Sequence, residues 1–133
     1  MIKSRRALLG RTTLAAMALG LAACANTAQG KLRQAVYDVD SAYHVLATPM
    51  PDVMAGKVPG ITLSANQKLI AKVASQSVFN EIQSLETSIE AGKSITETAV
   101  SALQADFASF SACWTGLKAG TTPAACAAIG GSN

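Results

Sequence analysis

The side chains in this 133-residue chain that could do chemistry are few, and its three cysteines come first. Cys24 follows the short apolar run LGLAA, whereas Cys113 and Cys126 lie together near the end of the chain. A cysteine in the position of Cys24 can mark a signal-peptide cleavage site, form half of a disulfide or carry a lipid. The cysteines form no CxxC redox motif. Cys113 and Cys126, with no histidine nearby, also fall short of the four ligands of a structural zinc site.

The remaining candidates for catalysis are one histidine and the acidic residues. His44 follows Asp40 by one helical turn, so this carboxylate could orient the imidazole. A general base also needs a nucleophile, and no G-x-S-x-G or similar setting is present, so we interpret His44 as a surface residue paired with Asp40. Four glutamates are interpreted as solvated charges: Glu81, Glu86, Glu90 and Glu97. The sequence therefore predicts no enzyme activity, no cofactor and no metal site.

The N-terminal residues have the composition of an export signal. The basic stretch MIKSRR precedes about a dozen mostly apolar residues that end at Ala23. This segment is shorter than the ~20 apolar residues that a membrane-spanning helix requires. The stretch SRRALLG also resembles the twin-arginine export motif, although Leu8 and Gly10 depart from its usual pattern. The sequence leaves the export route open between the twin-arginine and Sec pathways.

The apolar segment ends in Leu21-Ala22-Ala23-Cys24, which resembles the bacterial lipobox, Leu-Ala-[Gly/Ala]-Cys. In lipoproteins of that class the peptidase cuts before the cysteine, and the thiol carries a diacylglycerol. The resemblance implies a signal peptide of residues 1–23, a lipid on Cys24 and a tether of residues 24–30. Because Ala25 and not aspartate follows the cysteine, it favours an outer-membrane anchor facing the periplasm. The alternative is an ordinary signal peptide that leaves Cys24 as a free or paired thiol.

Removal of the signal would also change the charge of the protein. Four of the eleven basic residues precede Cys24, so seven remain against eight acidic residues. The formal charge of +3 then becomes about −1. No basic cluster remains that would suggest a nucleic-acid partner or a second electrostatic contact with the membrane.

If Cys24 carries a lipid, Cys113 and Cys126 remain as a pair in an exported chain. Such a pair, separated by a Gly-Thr-Thr-Pro turn, is typical of a disulfide. Closing this short loop is expected to stabilise the domain by roughly 3 kcal/mol.

The spacing of apolar residues predicts an all-α fold in residues 31–133. It indicates a small antiparallel three-helix bundle with a short C-terminal helix. The first helix is expected from Gly30 to Ala47, the second from Ser64 and the third from Ser94, the last two with capping-box patterns. The third helix carries a seam of apolar residues at intervals of three and four: Val100, Leu103, Phe107, Phe110, Trp114 and Leu117. Its place in this seam predicts that Trp114 is a core residue and not an exposed anchor for a partner.

The connection between the first two helices is long and apolar. It runs from Thr48 to Leu63, whereas bundles usually connect their helices by two to eight residues. Met-bearing loops can serve as adaptable binding surfaces. The apolar side chains of this segment are Met50, Val53, Met54 and Val58. Either they fold back over the open end of the bundle, or they bind a partner.

The whole chain resembles the small Ala-rich helical lipoproteins of proteobacteria, some of which lie in prophage regions. Members share a lipobox, a short polar tether, a few Ala-rich helices and two further cysteines. That family is largely without assigned activity, so the resemblance supplies no function. We favour a membrane-tethered structural or interaction module with an envelope protein as its partner. The alternative is a phage-derived accessory lipoprotein that acts in lysis or in superinfection exclusion.

Overall fold

The computed structural model describes residues 12–129, with side chains from Thr27 onward. Every regular element in this range is a helix: α1 Thr12–Ala47, α2 Met50–Met54, α3 Ala65–Glu90, α4 Glu97–Lys118 and α5 Ala125–Ala128. The chain divides into two units, Met1–Lys31 and Leu32–Asn133. The predicted all-α class is confirmed for the described residues.

Helix α1 differs from the expectation at its start and agrees with it at its end. The sequence predicts a helix from Gly30, but the helix begins at Thr12 and includes residues 24–30. Alanine has the highest helix propensity, and no proline interrupts the Ala-rich residues of this stretch. The helix ends at Ala47, because Pro49 disfavours helical geometry in the residue before it.

The capping pattern before α3 forms as predicted, whereas that before α4 does not. The hydroxyl of Ser64 accepts from the backbone N–H of Gln67 at 3.1 Å, and the Gln67 side chain accepts from the backbone N–H of Ser64 at 2.9 Å. At α4 the cap is Thr96 and not Ser94, since the Thr96 hydroxyl accepts from the backbone N–H of Ala99 at 3.1 Å. Helix α4 therefore begins at Glu97.

Side chains from α1, α3 and α4 form one hydrophobic core. Tyr43 of α1 is central to it, with its ring 5.8 Å from that of Phe79 in α3 and 5.9 Å from that of Phe110 in α4. The Tyr43 hydroxyl lies 2.8 Å from the hydroxyl of Ser75, which gives this buried polar group a hydrogen-bond partner. Trp114 is fully buried, so the prediction of a core tryptophan holds and the exposed-anchor alternative does not.

Residues 48–63 cover the core and contain the short helix α2. Met50 and Val53 are buried at 5% and 2% exposure. Met54 and Val58 are partly buried and pack against the same core. The apolar side chains of this long connection are therefore used to close the core.

Candidate functional site

The disulfide between Cys113 of α4 and Cys126 of α5 is present, with the two Cα atoms 4.8 Å apart. The segment between α4 and α5 turns back against the end of α4 to form this bridge. In this turn the backbone N–H of Thr121 donates to the carbonyl of Gly116 at 2.9 Å. A Cβ atom at Gly116 would overlap the ring of Pro123. The site is therefore a covalent closure of the C-terminal segment, and it depends on a glycine that sequence analysis did not identify.

The proposed partner-binding residues of the long connection are not presented to solvent. Met50 and Val53 are buried, and Met54 and Val58 are partly buried. The helical turn of α2 places Met50 and Val53, which are three residues apart, on its buried side, whereas Asp52 is exposed. Their burial favours the covering role that the sequence left open, and partner binding by these side chains stays a prediction.

Cys24, the residue expected to carry a lipid, has a side chain that lies outside the described residues. The signal peptide predicted for residues 1–23 likewise falls outside the part of the chain whose side chains are described.

A pair of carboxyl groups joins α3 to α4. Asp106 in α4 is 5% exposed, the one buried charged residue among those described, and Glu81 in α3 is half-buried. Burial of Glu81, its hydrogen bond to the Asp106 side chain and the Asp106 charge raise the pKa of Glu81 to about 7. Such a pair is stable when one carboxyl is protonated and donates to the other.

This carboxyl pair corrects the interpretation of Glu81 as a solvated charge. The signal for Asp106 was present in the sequence, because Leu103, Asp106 and Phe110 follow each other at intervals of three and four residues. The intervals alone allow both position 106 and position 107 to face inward. The seam predicted from the sequence includes Phe107, and aspartate is seldom buried.

A second acidic group lies between α1 and α3. The Nε2 of His44 lies 3.3 Å from the Asp40 carboxylate, which is the pairing expected from their spacing. Burial raises the pKa of Glu86, the charges of Asp40 and Glu90 raise it further, and His44 lowers it in part. Glu86 is thus close to acidic neighbours, whereas the sequence suggested only a solvated charge.

In residues 27–129 no group of three His, Cys, Asp or Glu side chains is placed to hold a metal ion. No protein-family model, curated protein or solved structure matches this chain. Function therefore has to follow from the chain's own residues.

Two surface features are left by the packing of the helices. Leu69 and Val73 of α3 are 59% and 61% exposed and lie beside a shallow apolar groove between α3 and α5. Val45 of α1 is exposed beside a second groove, which lies between α1 and α4. None of the described helices is both long enough and apolar enough to cross a bilayer.

Proposed function

We propose that the protein is a lipoprotein tethered to an envelope membrane through Cys24, with a helical domain that acts as a structural or interaction module in the periplasm. The observation that carries this proposal is the order of a basic stretch, an apolar segment and Leu21-Ala22-Ala23-Cys24. The disulfide of Cys113 and Cys126 supports it, because disulfides persist in oxidising compartments such as the periplasm.

The proposal includes an arrangement of the three long helices and a position near the membrane. Helices α1, α3 and α4 would alternate in direction as an antiparallel bundle. Residues 24–30 span ~20 Å when extended but only ~10 Å as part of α1. A lipid on Cys24 would thus hold the domain near its own membrane. The protein would act on partners that approach this membrane.

Metabolic labelling of the full chain with palmitate tests the anchor directly. The wild type should incorporate palmitate and sediment with membranes, whereas Cys24→Ala should do neither. Each buried CH₂ contributes about 0.8 kcal/mol, so two or three acyl chains give strong membrane retention.

The matched control is Cys126→Ala, which also removes a cysteine but leaves the lipobox-like tetrapeptide intact. It should be labelled as strongly as the wild type. Equal labelling of wild type and Cys24→Ala, or no labelling of either, would refute the lipoprotein assignment.

The interaction role is tested by chemical cross-linking in intact membranes, followed by isolation of the full chain. An envelope protein recovered with the wild type but not with Cys24→Ala supports a membrane-tethered module. Recovery that is independent of Cys24 would place the interaction elsewhere.

A further inference from the structure

Two lysines near the start of α3 and two glutamates near its end lie in one register. Lys68 and Glu86 are 18 positions apart in the sequence, and so are Lys72 and Glu90. This spacing equals five whole turns at about 3.6 residues per turn, so all four side chains leave the same side of the helix. The lysines and the glutamates are separated by ~27 Å along the helix axis.

These charges oppose the stability of the helix that carries them. A helix favours acidic residues in its first turn and basic residues in its last turn. Helix α4 follows this preference with Glu97 and Lys118. Helix α3 has no acidic residue in its first turn and no basic residue in its last turn, and places Lys68 and Glu90 there instead. Helix stability therefore does not explain the charges of α3.

None of these four charges is in an ion pair within the described residues. The ion pairs found in residues 27–129 are His44 with Asp40 and Lys57 with Asp52, and neither involves α3. At the acidic end of α3, burial and the charges of Asp40 and Glu90 raise the pKa of Glu86, and only His44 lowers it. Neither end of α3 is in an ion pair within residues 27–129, although Lys93 follows Glu90 by three residues.

The surface between the two ends is polar and uncharged. Gln76 and Gln83 are exposed on the side of α3 that carries the four charges. Gln76 donates to Asn80 at 2.8 Å, and Gln83 donates to Glu86 at 3.5 Å. At the basic end Leu69 is 59% exposed, which adds an apolar contact there. This side of α3 therefore has a positive end, a neutral centre and a negative end.

We propose that this side of α3 binds a second copy of the chain, with the two α3 helices antiparallel about a two-fold axis near Phe79. Lys68 then faces Glu90 of the partner subunit, and Lys72 faces Glu86 of the partner subunit. The two-fold axis repeats both pairs, so the contact contains four opposite-charge pairs and closes as a dimer. A parallel pairing would place lysine against lysine, and that like-charge contact is unfavourable.

The pairing uses α3 and does not require the lipid anchor. An anchor would nevertheless favour it, because confinement to one membrane raises the effective concentration of the chain. The two-fold axis is perpendicular to α3. Two copies held by one membrane would therefore pair with α3 parallel to the membrane surface.

Charge reversal tests the proposal with the full chain in detergent, with the mass measured by light scattering. The wild type should be a dimer. Both Lys68→Glu/Lys72→Glu and Glu86→Lys/Glu90→Lys should be monomers, with the dissociation constant raised at least about tenfold. Both changes agree with the helix dipole, so α3 should remain folded, which far-ultraviolet circular dichroism checks.

Mixing provides the decisive arm of this experiment. The two reversed variants, combined in equal amounts, should form a heterodimer, because one is acidic at both ends of α3 and the other is basic at both ends. The variant with all four reversals should dimerise with itself. A monomeric wild type at every concentration, or a dimer that is unchanged by either reversal, would overturn the proposal.

Cysteine cross-linking tests the direction of the pairing. In the antiparallel contact Gln76 faces Gln83 of the partner subunit. A mixture of Gln76→Cys and Gln83→Cys chains should therefore cross-link on a non-reducing gel, whereas each variant alone should cross-link little. Ser101→Cys, exposed on α4, is the control and should not cross-link in any mixture. Strong cross-linking of Gln76→Cys alone would indicate a parallel contact and refute the arrangement.

Discussion

The carboxyl pair of Glu81 and Asp106 should make the stability of the domain depend on pH. The pKa of Glu81 is about 7 in the folded protein and 4.5 at its ordinary value. Between these two pH values the folded state holds a proton that the unfolded state has lost, so stability falls as the pH rises. The contribution of the pair is complete below pH 4.5 and is lost as the pH rises through about 7.

The size of this effect follows from the same two pKa values. A difference between 4.5 and about 7 corresponds to roughly 3 kcal/mol at 1.36 kcal/mol per pKa unit. Glu81 is only half-buried, and solvent screening reduces the figure to about 1 kcal/mol. For a domain of this size, such a change moves the melting temperature by ~5 °C.

Glu81→Gln is the informative variant because it stays neutral and can still donate to the Asp106 carboxylate. Urea unfolding at pH 4.5, 6, 7 and 8, followed by the fluorescence of the single tryptophan, measures its stability beside that of the wild type. Above pH 7 the variant should be the more stable by about 1 kcal/mol. It should also show a flatter pH profile.

The control variant is Glu97→Gln, which changes an exposed glutamate in the first turn of α4. It should lose a few tenths of a kcal/mol from the helix dipole and keep the pH profile of the wild type. If the wild type and Glu81→Gln have parallel pH profiles, the two carboxyl groups do not share a proton in the folded protein, and the reasoning fails.

Two further predictions concern the C-terminal closure. Cys126→Ala should lower the free energy of unfolding by about 3 kcal/mol at most and keep the helical circular dichroism spectrum, since the core formed by α1, α3 and α4 does not require the bridge; loss of the helical signal would contradict this. Gly116→Ala should cost about 1–3 kcal/mol in urea unfolding, because its methyl group overlaps Pro123. Gly30→Ala, at a glycine with open space around it, should cost nothing. Equal stability of these two glycine variants would show that the contact with Pro123 relaxes freely.

The features that sequence analysis predicted correctly are those set by neighbours in the chain. The Ser64 cap depends on Gln67 three residues later, and the core position of Trp114 depends on a helical repeat that can be read directly. The cap of α4 was misplaced by two residues because Ser94 and Thr96 are both good caps. Thr96 is the cap in the structure, and Ile95, between the two candidates, is buried against the core.

The features that sequence analysis missed or left open depend on contacts between distant parts of the chain. The direction of Met50 and Val53 was left open between the core and a partner, and only α2 places both on the core side of the connection. The pairing of Glu81 with Asp106 requires α3 and α4 to meet at those residues. No local pattern reports such a meeting, so polarity alone suggested solvent exposure.

Helix α3 has two features that stability alone would not favour: the carboxyl pair formed by Glu81, and the lysines and glutamates that oppose the helix dipole. These two features lie on opposite sides of the helix. Glu81 contacts α4 through Asp106, whereas Lys72, nine positions earlier and therefore two and a half turns away, points in the opposite direction. Conflicts between local preference and the fold concentrate where function or assembly imposes its own requirements. The side toward Asp106 of α4 holds a proton that responds to pH, and the side that carries Lys72 holds charges that suit a second copy. Because the two groups do not share a surface, Glu81→Gln should change the pH profile without changing the mass of the dimer, and Lys68→Glu/Lys72→Glu should do the reverse. A variant that altered both the pH profile and the mass would show that the carboxyl pair and the charges of α3 depend on each other.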